Sequence, residues 1–376
     1  MNEKIGFYHL DYQEYLKKKK EMEKRELFNS LTYYEKVRKE ISAWLSMVTF
    51  SKFYTEIEAK VLGQKELRVF LADVYSYLQA VANEMPINHN AIISAPSGCG
   101  KTETYRALKK YFQKYIPDLE VYIFDISQVT ATGFKGMDII ELIRRFVQYA
   151  DNDYRRVEAV GLVFMDEFDK EVEPRYTNFG ENVSRQVQGN MLTVIEGAPI
   201  LIPNMKVPVY VDTTYTMFVG LGSFSALREM SKDTKYPIGI GMEKEWEACE
   251  NERNEYHMLK REDFLDAGAS AELIGRFPLI CNYVELSEDI VRKVILKACE
   301  NIKKSMLIRD LSISEDMMKE LVSSANTTFG CRMIDAKIKA LIMDAYADAL
   351  MRRKSKEDSL NIRINSEEDI CCFWEM

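Results

Sequence analysis

Residues 95–102 read Ala95-Pro96-Ser97-Gly98-Cys99-Gly100-Lys101-Thr102, an arrangement able to grip phosphate. Its glycines let the backbone curl so that successive N–H groups face inward. A helix starting at the lysine would add its positive end to the same cradle. Pro96, Ser97, Gly98, Cys99 and Gly100 would supply that backbone, Lys101 would meet the β and γ phosphates of a bound nucleotide, and the Thr102 hydroxyl would hold Mg²⁺. Alanine at the first position departs from the phosphate-loop pattern, which a negative φ tolerates. The second constellation is Leu162-Val163-Phe164-Met165-Asp166-Glu167, an apolar run ending in two carboxylates. Such groups escape a core only at the end of a strand. There Asp166 would support Mg²⁺, and Glu167 would orient and activate an attacking water. A strand that merely ends in polar residues is the competing account, and the phosphate loop weighs against it.

Both constellations need rigid elements to hold them. Ala91–Ser94, Val121–Phe124, Gly161–Met165 and Met217–Leu221 are short, nearly continuous apolar runs, the pattern of strands covered on both faces. Between them lie helical periods such as 102–115, where Tyr105, Leu108, Phe112 and Tyr115 share one face. The pattern predicts an α/β domain with a parallel sheet over residues 51–283. From 284 to 354 the texture turns helical, with Ser287 and Ser314 as helix caps and a third helix over 331–352, which predicts a small helical domain. Residues 355–376 form a charged tail with an apolar end at Ile370–Trp374. Residues 1–50 form a helical extension in which Leu27, Tyr34, Ile41 and Val48 recur every seven positions, with Leu31, Arg38 and Leu45 on the second seam. That stripe suits a helix docked on the next domain; a partner-binding arm is the alternative. Residues 231–263 are polar and long, and read as an insertion or surface loop.

The 376 residues are 47% hydrophobic and 29% charged, enough for a substantial core. Fifty-one basic against 59 acidic residues give a net charge of −8, which disfavours a general nucleic-acid coat. The Lys17–Lys20 run is followed at once by acidic residues and reads as a solvated helix face. Seven scattered cysteines without a CxxC pair, and three histidines, disfavour a structural zinc site. The first residues lack a signal-peptide pattern, and no window approaches the roughly 18 apolar residues of a membrane span. A cytoplasmic, reduced protein is expected.

With these motifs in this order, residues 55–350 resemble the AAA+ ATPases, specifically the ClpX-type protein unfoldases with HslU as a near relative. Val61-Leu62-Gly63-Gln64 resembles the family's adenine-side motif, so Val61 and Leu62 would line the base. Gly161–Lys170 follows the acidic-strand motif, and Ile195-Glu196-Gly197 a stretch after the second pore loop. Glu272–Pro278 is similar to the arginine-finger box, which implies that Arg276 reaches the γ-phosphate of a neighbouring subunit. Apart from the resemblance, an arginine in a helix–loop–proline setting is ordinarily a surface residue. Phe329-Gly330-Cys331-Arg332 resembles the second sensor, so Arg332 would touch the phosphates of its own subunit. Thr132-Gly133-Phe134-Lys135-Gly136 resembles the loop that lines the hexamer pore. There Gly133 and Gly136 give mobility, Phe134 grips a passing chain, and Lys135 departs from the usual apolar residue. An ordinary anchor into the core is the other reading of Phe134. Ser223 sits near the place of a first sensor.

The resemblance therefore implies an AAA+ P-loop NTPase large domain, a small mainly helical domain, ATP and Mg²⁺ as cofactors, and a homo-hexamer acting on protein substrates. Departures qualify it. A cysteine-free segment stands where ClpX carries its zinc-binding domain, and no basic entry loop is evident in Pro199–Asp212. Pro237-Ile238-Gly239-Ile240-Gly241 lies where the peptidase-docking loop belongs, so Ile238, Gly239 and Ile240 are the candidates for docking on a ClpP-like peptidase. A dedicated remodeller or nucleotide-gated scaffold for one partner, without a peptidase, is the alternative. A clamp-loader-like nucleic-acid ATPase is disfavoured by the acidic balance.

Overall fold

The computed structural model describes residues 32–85, 88–128, 139–172, 183–197, 199–202, 209–228, 258–306, 308–325, 330–352 and 359–375. Its central sheet uses β1 (Ala91–Ser94), β2 (Glu120–Asp125), β3 (Gly161–Asp166), β6 (Thr216–Gly222) and β7 (Leu279–Asn282). Between them, β4 (Ile200–Ile202) and β5 (Val209–Val211) pair antiparallel as a separate ribbon. The main sheet is ordered β2-β3-β6-β1-β7, with every pairing parallel. All of β1 and β6, and β3 up to Asp166, are buried, as expected for strands covered on both faces. Four of the five strands are legible as apolar runs. The fifth, β7, is a four-residue strand just after Pro278, too short to show a period of its own.

Alternation along the strands feeds two cores. Leu162 and Phe164 join one apolar cluster, while Val163 and Met165 join the other. The first cluster is closed by α1 (32–47), α2 (Phe50–Glu58), α3 (Leu67–Ala82) and α4 (Lys101–Tyr115). The second is closed by α5 (Ile140–Tyr149), α6 (Tyr154–Ala159), α7 (Asp169–Val172), α8 (Val183–Ile195), α9 (Arg261–Asp266) and α10 (Ala271–Gly275). Of residues 258–263, expected within a polar loop, Leu259 is buried in the core while Met258 and Lys260–Glu262 are exposed. Just beyond them Phe264 meets Phe224 with ring centroids 5.1 Å apart.

The first described helix, α1, is docked rather than free. Val37, Ile41, Trp44 and Val48 are buried at helical spacing, and Trp44 packs against Phe53, Tyr75, Tyr111 and Phe112. Its indole N–H donates to Tyr111 Oη at 3.3 Å. The buried stripe is rotated one position from the sequence-derived second seam. Val37 and Trp44 face inward where Arg38 and Leu45 were expected, and Arg38 instead pairs with Glu84 at 2.8 Å.

Beyond Tyr283 a second unit forms from α11 (Glu288–Met306), β8 (Ile308–Ile313), α12 (Glu315–Ala325), α13 (Ile334–Arg352), β9 (Ser359–Ile364) and β10 (Ile370–Glu375). Ser314 caps α12 by accepting from Met317 N–H at 3.2 Å. Residues 355–376 were expected as a separate tail; the described part of it, 359–375, contributes two strands to this unit. β9 lies parallel to β8 and antiparallel to β10, and it buries Leu360, Ile362 and Ile364 against the helices. The short alternating run Leu360-Asn361-Ile362 is hard to distinguish from a tail without its partner β8, which lies some fifty residues earlier.

Trp44→Ala is expected to lower the unfolding free energy by about 3–5 kcal/mol, as for a large aromatic in a packed core, read from the urea midpoint. A chain ending at Arg352 is expected to lose hydrogen-exchange protection across 334–352, because α13 loses β9 and β10, whose Trp374 indole N–H donates to Ala349 O at 3.0 Å.

Candidate active site

The parallel sheet brings its polar strand ends to one edge, where an open α/β sheet binds ligands. β1 delivers the chain there, and Ala95 N–H donates to Gly222 O at 3.0 Å. The turn needs left-handed backbone at Gly98 (φ 77°) and at Gly100 (φ 100°), the residue preceding α4. α4 is 15 residues long, so its free N–H groups and dipole end point out of this turn. Lys101 folds back so that its ammonium donates to the carbonyls of Ala95 and Pro96. Burial lowers its pKa to about 8; the charge of Asp169, the Cys99 thiol and Asp166 oppose the fall, and Arg332 adds to it.

Asp166 ends β3 half-buried, and Glu167 follows it exposed. Glu167 holds φ at 58°, an uncommon conformation for a side chain of this kind, and its N–H donates to Asp166 Oδ1 at 3.1 Å. The turn is pinned from below. Phe168 N–H donates to Leu221 O at 2.8 Å, and the Phe168 ring lies so close to Gly220 that an added Cβ would sit 2.6 Å from it. Glu167 is thereby turned outward at the edge.

Behind it lies a buried polar network that the sequence reading did not identify. Asp169 Oδ2 accepts from Ser223 Oγ at 2.8 Å, Ser223 N at 3.0 Å and Phe224 N at 3.2 Å. Arg228, also buried, donates to Ser223 O and Ser94 Oγ. The ends of β3, β6 and β1 are thus tied together. The Ser223 hydroxyl, expected near a first sensor, is engaged by Asp169. Arg228 has no local sequence signal, since its partner Ser94 is 134 positions away.

A cleft of about 230 Å³ opens between this edge and the second unit. One wall carries Val61, Leu62, Gly98, Cys99, Gly100, Lys101 and Thr102; the other carries Leu286, Lys297, Asn301, Cys331, Arg332 and Asp335. The structure therefore brings the phosphate loop, the Val61–Leu62 pair and Arg332 together. Lys297, absent from the sequence-derived set, donates to Lys60 O at 2.9 Å and closes one end. The Cys99 and Cys331 thiols are both held protonated by burial, the latter pushed up to about 11. Among the described residues no cluster of three or more His, Cys, Asp or Glu forms a metal cage. Thr102 lines the cleft together with the carboxylates of Glu103 and Asp335, while Asp166, at the end of β3, acts on Lys101 through its charge. The Thr102 hydroxyl and the Asp166 carboxylate are hard oxygen donors of the kind that suits Mg²⁺ shared with phosphates.

Arg276 is not brought to this cleft. It follows α10 and precedes β7, and β7 pairs Leu279 with Ala91 and Asn282 with Ser94. The phosphate loop leaves the Ser94 end, so Arg276 lies beyond the opposite end, more than the roughly 13 Å length of a four-residue strand away. There it is about half exposed and pairs with Glu196 at 2.6 Å, while its carbonyl accepts from Asn88 Nδ2 at 2.9 Å. The buried Gln188 connects the two ends: its amide donates to Glu171 O in α7 at 2.7 Å and accepts from Ser270 N, the cap of α10, at 2.8 Å. Gly133, Phe134, Lys135 and Gly136, and Ile238, Gly239 and Ile240, lie outside the described residues. Among the described residues no helix is long and apolar enough to cross a membrane.

The family model of the AAA domain (Cdc48 subfamily) matches residues 88–280. The chain is similar to the ATP-dependent Clp protease ATP-binding subunit ClpX of Treponema denticola, with 26% identity over 81% of this chain and 78% of that protein. It is similar also to the ATP-dependent Clp protease ATP-binding subunit ClpX of Porphyromonas gingivalis, with 25% identity over 77% of this chain and 75% of the relative.

Lys101 binds phosphate best as a cation. Because its pKa lies near 8, below the ordinary lysine value, its charge is lost in a range where other lysines keep theirs. Affinity for a nucleoside triphosphate is therefore expected to fall as pH rises through about 8. Lys101→Arg is expected to flatten that profile, as checked by titration with a fluorescent analogue.

Proposed function

The chain belongs to the AAA ATPase family, and from that premise we propose an ATP-driven protein unfoldase or remodelling motor that works as a homo-hexameric ring, threading polypeptide through a central pore. The observation that carries this reading is the division of the site. Lys101, Thr102 and Arg332 line one cleft whose edge carries Asp166 and Glu167, while Arg276 stands exposed at the other end of the sheet. An arginine placed there is out of reach of its own chain's cleft and is presented to a neighbour.

In this proposal Pro96, Ser97, Gly98, Cys99 and Gly100 hold the phosphates through their backbone, with Lys101 beside them. Val61 and Leu62 pack on the base. Thr102 and Asp166 hold Mg²⁺, which supplies charge neutralisation at the phosphates. Glu167 accepts the proton of the attacking water, and its fixed outward turn orients that water. Arg276 stabilises the charge that develops in the neighbouring subunit's cleft. Arg332 contacts the phosphates from the second unit, so the two walls of the cleft close or part with nucleotide state. Phe134, flanked by Gly133 and Lys135–Gly136, grips the passing chain. Ile238, Gly239 and Ile240 dock on a ClpP-like peptidase, and the setting is cytoplasmic.

Glu167→Gln is expected to lower ATP turnover by about 10²–10⁴-fold while keeping ATP bound, the range for removing a positioned general base. Proteins recovered with this variant distinguish the outcomes. Many unrelated proteins with a peptidase support a degradative unfoldase, whereas one stoichiometric partner makes it a dedicated remodeller. Mixed Glu167→Gln and Arg276→Ala subunits are expected to hydrolyse ATP faster than either variant alone, because mixed interfaces restore complete sites. No gain on mixing overturns the trans role. Phe134→Ala is expected to keep ATPase activity and lose unfolding of a tagged substrate, and unaltered unfolding overturns the pore assignment.

A further inference from the structure

Gln64 is a buried polar side chain, 4% exposed, and three hydrogen bonds of its amide are directed across a junction. Its Nε2 donates to Cys99 O in the phosphate loop at 3.0 Å and to Val284 O at 2.8 Å. Its Oε1 accepts from Val284 N–H at 2.9 Å. Val284 is the residue at which the chain leaves the large domain. The residue before it, Tyr283, is fixed there by N–H donation to Ser94 O at 2.7 Å and by an Oη–Thr104 Oγ1 contact of 3.2 Å. Two residues after it, Leu286 packs on the core of the second unit.

The neighbours of Gln64 press on the same junction. Gly63 has φ 81°, and a Cβ there would sit 2.9 Å from Ile290 and 3.2 Å from Leu286, so only glycine permits this approach to the start of α11. Lys60 O takes the ammonium of Lys297, farther along that helix, at 2.9 Å. Residues 60–64 therefore touch the phosphate loop on one side and the second unit on the other.

We infer that Gln64 is a positioning residue that couples the phosphate loop to the hinge at Val284. A buried amide with three fixed partners has no water with which to exchange them, so a shift of the Cys99 carbonyl forces Gln64 to move with it or to leave a polar group unpaired, at a cost well above that of moving. The Val284 peptide, held through both its N–H and its C=O, follows. Occupation of the cleft thereby reaches the hinge through one side chain, in addition to any direct contact of the nucleotide with Arg332. This coupling rests on the proposal that ATP occupies the cleft.

The test uses the full chain, a non-hydrolysable ATP analogue and hydrogen exchange of the first-turn amides of α11, Ile290 and Val291. Both donate to Ser287 O rather than to Gln64. In the wild type, saturating analogue is expected to change their exchange rate by about tenfold, the middle of the range for coupled sites. In Gln64→Met, which keeps the volume and removes the donors and acceptor, the analogue is expected to bind within about fivefold of wild type while the exchange response falls below about twofold. Gln64→Glu, which keeps the oxygen facing Val284 N–H but removes the donors, serves if the methionine variant does not fold, with the same expected loss. A folded variant that responds as the wild type does overturns the inference. So does a wild type that binds the analogue without a response at Ile290 and Val291. A wild type that fails to bind the analogue overturns the nucleotide assignment itself.

Discussion

Parallel alignment of the five central strands is the constraint from which the site follows. Strands in one direction end at one edge, and a strand buried on both faces can carry polar side chains only where it ends. Asp166, Glu167, Ser223 and the phosphate loop after Ser94 meet there because β3, β6 and β1 are neighbours in the sheet. The same register sends the segment before β7 to the far end, which is why Arg276 and Lys101 are separated within one chain. A single geometric rule gathers one part of the chemistry and excludes the other.

Placing charge at this edge has an electrostatic cost, visible at Lys101, whose ammonium is held largely out of water. Asp169 and Asp166 offset part of that cost through their charge. Asp169 can play this role because it is itself fully hydrogen-bonded on one oxygen, by the hydroxyl and N–H of Ser223 and the N–H of Phe224. Arg228 completes the arrangement by joining the carbonyl of Ser223 to the hydroxyl of Ser94. The support beneath the phosphate loop is therefore polar and satisfied, and the apolar layers begin one residue below it.

Two buried glutamines carry connections that apolar packing would not make directional. Gln188 joins α7, just after the acidic pair, to the cap of the helix that ends at Arg276. Gln64 joins the phosphate loop to the start of the second unit. Each spans elements far apart in the chain, and each uses both the donor and the acceptor of its amide. The second unit is itself built across a long separation, with β9 completed by β8 rather than by its neighbour in sequence alone.

By itself the sequence determined the local motifs, those that depend on neighbours along the chain. The octet 95–102, the carboxylate pair after 162–165 and the helical period of 102–115 are local, because a phosphate cradle and a strand end are built from consecutive residues. The apolar runs that became β1, β2, β3 and β6 were legible for the same reason: burial on both faces leaves an uninterrupted signature. The docked face of α1 was legible to within one position: Ile41 and Val48 are buried on the expected stripe, while on its second seam the apolar Val37 and Trp44 are buried next to Arg38 and Leu45. Only the tertiary structure decided the rest. It decided that residues 359–375 belong to the second unit, that Arg228 and Asp169 brace the edge, and that Lys297 and Gln64 close the cleft and its hinge. The physical reason is that each of these depends on a partner between 51 and 237 positions away. A lone polar residue at either end of such a contact looks the same in sequence whether it faces water or is buried against its partner.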